Sequence, residues 1–342
     1  MPTIKEIAQE AGVSTATVSN ILNGKFHKVS DETRERVLDV VQKRGYKPNL
    51  IAQGLRSRST KTIGIIAEDI AQFTTPEIAE GVMEICEEQG YRTVIQNLRL
   101  YQRWGGAWFD REALVDQVLR PAIQEFSEMM VDGIIYIAGH ARTIPMPEEM
   151  RIPMVIVYAY PKDPTVPAIV IDDEKSAYDV TTYLIGQGHR KIALIAGSAD
   201  NLHTKLRLRG YQKALFENSI LYDPDLVVSG EWDREDAYRV SPKVIESGAT
   251  AVFCMNDRMA GGFYRYCYEH KIRIGEDISV VGHDNEMVSE YYCPELTTME
   301  IPLREIGRKA MNVFLHYSEI APEEKLDRVS CVLRERASVR KI

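Results

Sequence analysis

At 342 residues, 44% hydrophobic, 27% charged and 8% aromatic, the chain has an ordinary globular composition and the length for two or three domains with substantial cores. No run approaches about 18 consecutive apolar residues and the opening MPTIKEIAQE has no apolar core, so neither a membrane span nor a secretory leader is expected and the expected compartment is the cytoplasm. The formal charge of −8 argues against nucleic acid, but it is uneven: the first 60 residues carry +4 and the rest −12, a basic head on an acidic body.

The head opens with Thr3 to Asn23. Ile4, Ile7, Ala8 and Ala11 fall on one face of a short helix, and Gly12 breaks it. Ser14 can cap a second helix, whose buried face is Val18, Ile21 and Leu22. Two short helices across a Gly-containing turn form the helix-turn-helix pattern, with Thr15, Ala16, Thr17, Ser19 and Asn20 left to face a DNA major groove. A polar wing leads to Ser30, the expected cap of a third helix running to about Arg44, which buries Val37, Leu38 and Val41 and stops at Gly45. Residues 48 to 60 then read as a linker with Leu50, Ile51 and Leu55 at helical spacing, a segment expected to be helical only when docked.

From Thr62 the pattern changes. Apolar β-rich runs at 62 to 67, 92 to 96, 133 to 137, 154 to 158, 168 to 171, 191 to 196, 251 to 255 and 279 to 283 alternate with helical runs at about 76 to 89, 112 to 130, 174 to 187, 205 to 218, 234 to 247, 257 to 270 and 303 to 317. Apolar strands separated by such helices imply parallel sheets covered on both faces, here two doubly wound lobes that bind ligand at the carboxyl ends of their strands. The expected fold is an all-α helix-turn-helix headpiece (1–47), a hinge (48–60) and an α/β body (61–342). Its first lobe is expected at about 61–160 and 291–321, and its second at about 161–290 and 322–342.

These segments carry a family resemblance. TIKEIAQEAGVSTATVSNILNG, the hinge PNLIAQGL and TIGIIAEDI, then IDDEKSAYDVTTYLIGQGHRKIALIAG, LRLRGYQKAL, MNDRMAGGFYR, ISVVGHDN and PELTTM, resemble the lactose-repressor (LacI/GalR) family of bacterial transcription regulators in order along nearly the whole chain. The resemblance implies a body like periplasmic sugar-binding proteins and a homodimer whose paired heads grip a two-fold symmetric operator in double-stranded DNA. It implies base-reading roles for Thr15, Ala16 and Asn20; Asn at the last favours adenine, where some members carry Arg. It assigns Leu55 a wedge into the minor groove at the operator centre, with simple packing of paired hinges as the alternative.

In the body, the resemblance makes Arg207, Asn256 and Asp284 effector contacts and gives Trp232 an aromatic face for a sugar. Phe73 and Thr74, after the first strand with Asp69 and Gln72, face the expected cleft. For Asn256 the competing reading is a helix cap, and for Asp284 a turn. The implied partner is a small effector, expected to be a carbohydrate, and the expected function is a repressor of carbohydrate-utilisation genes; a protein partner or a non-sugar ligand is the alternative.

The stretch 99 to 114, with Trp104 and Trp108, is longer and more aromatic than the usual family connection, and 140 to 153 is also unusual. The first reads as a surface loop, a lid on the cleft or an interface. Five cysteines without CxxC spacing and seven scattered histidines suggest no disulfide framework, metal or cofactor. No GxGxxG after a strand, P-loop or GxSxG elbow occurs, so no enzyme is expected. The C-terminus lacks leucine heptads, so no tetramerising tail is expected.

Overall fold

The computed structural model describes residues 2–22, 24–26, 29–46, 59–109, 111–145, 151–321 and 325–342. The chain forms two compact units, a head ending at Lys61 and a body starting at Thr62.

The head contains α1 (Ile4–Glu10), α2 (Thr15–Leu22) and α3 (Asp31–Arg44). Thr3 and Glu6 form a reciprocal capping box at the start of α1, satisfying two backbone donors that the helix itself cannot. Gly12, at φ 64°, makes the turn, a conformation that a Cβ would disfavour. Ser14 Oγ then accepts the Thr17 N–H at 3.1 Å. Ser30 caps α3, and Gly45, in the left-handed region, ends it. Ile7, Ala8, Ala11, Val18, Ile21, Val37 and Val40 make the core. Leu38, expected inside, is 43% exposed, and Val40 is buried in its place. Both placements suit a helical stripe, and only the position of the neighbouring helices chooses between them.

Among the described residues the body holds two six-stranded sheets. The first runs β13 (Leu326–Val329), β7 (Ala168–Ile171), β5 (Met154–Val157), β3 (Gly133–Ile137), β1 (Thr62–Ala67), β2 (Arg92–Asn97), all parallel. The second runs β14 (Val332–Arg334), β12 (Thr297–Glu300), β11 (Ser279–Asp284), β10 (Ala251–Cys254), β8 (Ile192–Ala196), β9 (Val227–Ser229), with only β14 antiparallel. A two-stranded ladder joins β4 (Thr143–Ile144) to β6 (Tyr160–Pro161). The helices are α4 (Thr74–Glu88), α5 (Leu100–Trp104), α6 (Glu112–Glu128), α7 (Asp173–Gly186), α8 (Leu202–Glu217), α9 (Arg234–Glu246), α10 (Asp257–Glu269) and α11 (Leu303–Leu315).

The lobe boundaries differ from expectation. β7 lies in the first sheet, with Ile156 beside Ala168 and Val157 beside Ile169. β12 lies in the second sheet and β13 in the first, so the chain crosses between lobes near residues 172, 302 and 330. A strand buried on both faces carries no mark of the sheet it joins, and only its pairing partner decides. The three-residue strands β9 and β14 and the five-residue helix α5 are too short to stand out as periodic runs, and β12 (TTME) and β13 (LDRV) are too polar to read as apolar strands. In the first lobe α11 packs on α4: a Cβ on Gly81 would lie 2.0 Å from the Arg304 carbonyl oxygen, so absent side chains permit this approach.

Candidate functional site

The site is built where strands end. In the first lobe, the segments after β1, β3 and β5 supply Phe73 and Thr74, His140 and Ala141, and Tyr158. In the second, the ends of β8, β9, β10 and β11 supply Gly197, Trp232, Asn256 and Asp284, while the first turn of α7 adds Asp173 and the first two turns of α8 add His203 and Arg207. Phe73 and Asp284 line one cavity of about 560 Å³ between the lobes, with Glu286 and Pro302 among its other walls. The Arg258 guanidinium lies 5.9 Å from the Phe73 ring centre.

Arg207 is 2% exposed and is committed to protein partners. Its Nε donates to Asp173 Oδ1 at 2.8 Å, and Nη1 donates to the Met255 carbonyl and lies 3.9 Å from Asp284 Oδ1. Its guanidinium is 5.7 Å from the Trp232 ring centre. Asp173 also accepts from His203 Nδ1 at 2.8 Å. Burial pushes the Asp173 carboxyl up, but His203 and Arg207 outweigh it and hold the group at about 2. Asp284 goes the other way: burial raises it to about 7 against the pull of Arg207. Its Oδ1 lies 3.0 Å from His283 Nδ1, and burial drives His283 well below the ordinary histidine range. One buried network thus holds a firmly ionised carboxylate and another poised near neutrality.

The other expected residues fall as follows. Asn256 caps α10, its Oδ1 accepting the Met259 N–H at 2.7 Å, while its Nδ2 reaches the Trp232 carbonyl at 3.3 Å. It therefore orients Trp232 as well as the helix. Trp232 sits at φ 65°, and its indole crosses Gly197 so closely that a Cβ there would be 2.0 Å from Cε2. Trp232 Nε1 and Thr74 Oγ1 are buried polar atoms without a hydrogen-bond partner among the described residues. Phe73 directly precedes α4 and is half-buried. Asp69 accepts the Ala71 N–H at 3.2 Å and shapes the turn leading to α4.

Asp173, His203, His283 and Tyr158 escaped sequence reading. IDDEKSA signals a helix start, and Asp172 does cap α7, accepting the Lys175 N–H at 3.1 Å. Asp173 beside it turns inward, and an inward acidic residue in a first turn looks the same in sequence as an outward one. The aromatic stretch is not merely a surface loop: Trp108 is fully buried in the first lobe, stacked on Phe109 at 4.5 Å, with Tyr101 against both. Beside it buried Glu68 accepts from Tyr136 at 2.7 Å, from the Gly139 N–H at 2.8 Å and from Arg142.

In the head, Thr15, Ala16 and Asn20 are exposed on α2, while Thr17 and Ser19 are half-buried. Thr17 Oγ1 lies 2.9 Å from Ser14 Oγ, so this side chain serves the cap before any base. Leu55, with residues 48–58 of the hinge, lies outside the described residues.

Comparison with known proteins agrees with both units. Residues 3–49 match the bacterial regulatory protein, lacI family, model and residues 181–339 the periplasmic binding protein-like domain. The chain is 34% identical over 335 residues to the HTH-type transcriptional repressor PurR of Vibrio atlanticus (strain LGP32), covering 95% of this chain and 94% of that one. It matches the lac repressor dimer bound to operator and the anti-inducer ONPF with a TM-score of 0.77 at 25% identity over 99% of both chains. It matches a complex of the transcriptional regulator CelR with cellobiose with a TM-score of 0.66 at 26% identity, over 99% of this chain and 100% of that one. The chain belongs to the lacI family of bacterial regulatory proteins and is a DNA-binding transcription regulator.

Proposed function

We propose that the protein is a homodimeric repressor that binds a pseudo-palindromic operator through paired heads and is controlled by a small, polar, carbohydrate-like effector between the lobes of its body. The observation that carries the effector reading is that Asp284 of the second lobe shares a cavity with Phe73 of the first, while Thr74 Oγ1 and Trp232 Nε1, also beyond strand ends, are buried without partners among the described residues. A buried donor or acceptor without a partner costs about 1–3 kcal/mol, which a ligand hydroxyl would recover. Trp232 offers a ring to the C–H side of a sugar. A solved relative at 26% identity is a cellobiose complex, which supports the same class.

Arg207 acts differently from a free ligand-binding arm. Its bonds to Asp173 and Met255 make it the brace on which Trp232 and Asp284 are placed. A flat heterocycle is the second reading, favoured by the two aromatic side chains Phe73 and Trp232, which suit a planar ring as well as a sugar face. A thermal-shift screen of monosaccharides, disaccharides and nucleobases on the full-length chain decides between them; a ligand at 100 times its Kd adds about 2.7 kcal/mol. A positive in only one class selects it, and no shift with any compound counts against the cleft as an effector site. In operator binding, Thr15, Ala16 and Asn20 contact bases, and Leu55 wedges at the operator centre. Binding of selected duplexes tests this, with size-exclusion chromatography testing the homodimer.

A further inference from the structure

The two lobes are tied by a hydrogen bond between their own residues. His203, 5% exposed in the first turn of α8, belongs to the second lobe. Its Nε2 nevertheless accepts the backbone N–H of Ala141 at 3.1 Å, from the loop after β3 in the first lobe. Its ring centre lies 5.2 Å from that of Tyr158, which follows β5 of the same lobe. Because Nε2 is the acceptor, the neutral ring carries its hydrogen on Nδ1 and donates it to Asp173 Oδ2 at 2.8 Å. Arg207 donates to the other oxygen of that carboxylate at 2.8 Å. The hydrogen bonds therefore form a line from the first lobe's backbone, through an imidazole of defined tautomer, to the brace that positions Trp232 and Asp284.

Each link is buried and each atom is used once, as donor or as acceptor. Separating the lobes would leave the Ala141 N–H and His203 Nε2 to find water, and would pull on the side chain that aligns Asp173. We propose that His203 is a positioning residue that latches the lobes together, so that an effector acts on a lobe contact the protein already makes. The coupling to an effector rests on the cleft reading above; the latch is tested without any ligand.

The experiment is hydrogen exchange by mass spectrometry on the full-length chain. In His203→Ala, amides at 138–142 exchange about tenfold faster, as expected for loss of one buried hydrogen bond that limits a local opening, while the second sheet is unchanged. His203→Gln, whose side-chain oxygen can accept the Ala141 N–H, restores at least half of the protection. His203→Phe, which keeps a ring against Tyr158 but has no acceptor, behaves like His203→Ala. Wild-type exchange in both the Ala and Phe variants overturns the latch, as does a rise spread over the whole body or protection by Phe equal to that by Gln. The cleft reading stands or falls separately, on the thermal-shift screen.

Discussion

At the residue scale, Arg207 and Asp173 behave as one unit. Each is nearly solvent-free, so removing either partner strands the other's charge in the interior. Arg207→Ala is expected to cost about 3–5 kcal/mol of stability, and Asp173→Ala a similar amount. The double variant should cost clearly less than the two single losses added together, measured by denaturant unfolding. Simple additivity would show that the pair is not coupled. Gly197→Ala forces the Trp232 indole off its seat, because the new Cβ would meet Cε2 at 2.0 Å. Overpacking of this kind costs about 1–3 kcal/mol, and Trp232 fluorescence should shift relative to wild type; unchanged emission and stability would mean the indole has another place to lie.

At the scale of the element, α2 carries the reading face and depends on its cap. Ser14→Ala removes the acceptor for the Thr17 N–H and should lower head stability by about 1 kcal/mol. Asn20→Ala is expected to leave that stability unchanged, since Asn20 is exposed, and to lose about 1–3 kcal/mol of discrimination at one base pair per half-site. Competition binding across single-base operator variants measures it. A loss spread uniformly over all bases would instead make Asn20 a phosphate contact. The helix boundaries were legible because Gly12, Ser30 and Gly45 act locally, through φ and side-chain caps. Leu38 was misplaced because an amphipathic stripe tolerates either neighbour inside.

At the scale of the whole molecule, buried titratable groups oppose one another. Burial depresses His283, and lowers His140 to about 3, so each contributes stability that is present above the ordinary histidine value and lost as pH falls below about 6.5. Asp284 is raised to about 7 by burial, so its contribution is present below the ordinary carboxylate range and lost as pH rises through neutrality. Asp284→Asn removes only the second effect. The difference in Tm between the variant and wild type should therefore move in the variant's favour from pH 4.5 to pH 8. A constant difference would show that Asp284 ionises normally. The +4 head on a −12 remainder predicts operator affinity that falls steeply with salt, and a flat profile would contradict phosphate contacts by the head.

The division between sequence and tertiary structure follows the range of the forces. Periodicity, caps and turn residues are short-range, and they make the head, the alternation of strands and helices, and the two-lobed body legible in the sequence. The family resemblance of LRLRGY, MNDRM and GHDN implied one site for Arg207, Asn256 and Asp284. What they left open was the direction of each side chain and the choice of partner. Asp172 and Asp173 are adjacent and chemically identical, yet one caps a helix and the other anchors His203 and Arg207. Likewise β7, β12 and β13 were assignable to a lobe only by the strand each one pairs with. A burial decided by chain segments more than a hundred residues apart, as where Ser176 meets His283, has no local signature, and only the folded body decides it.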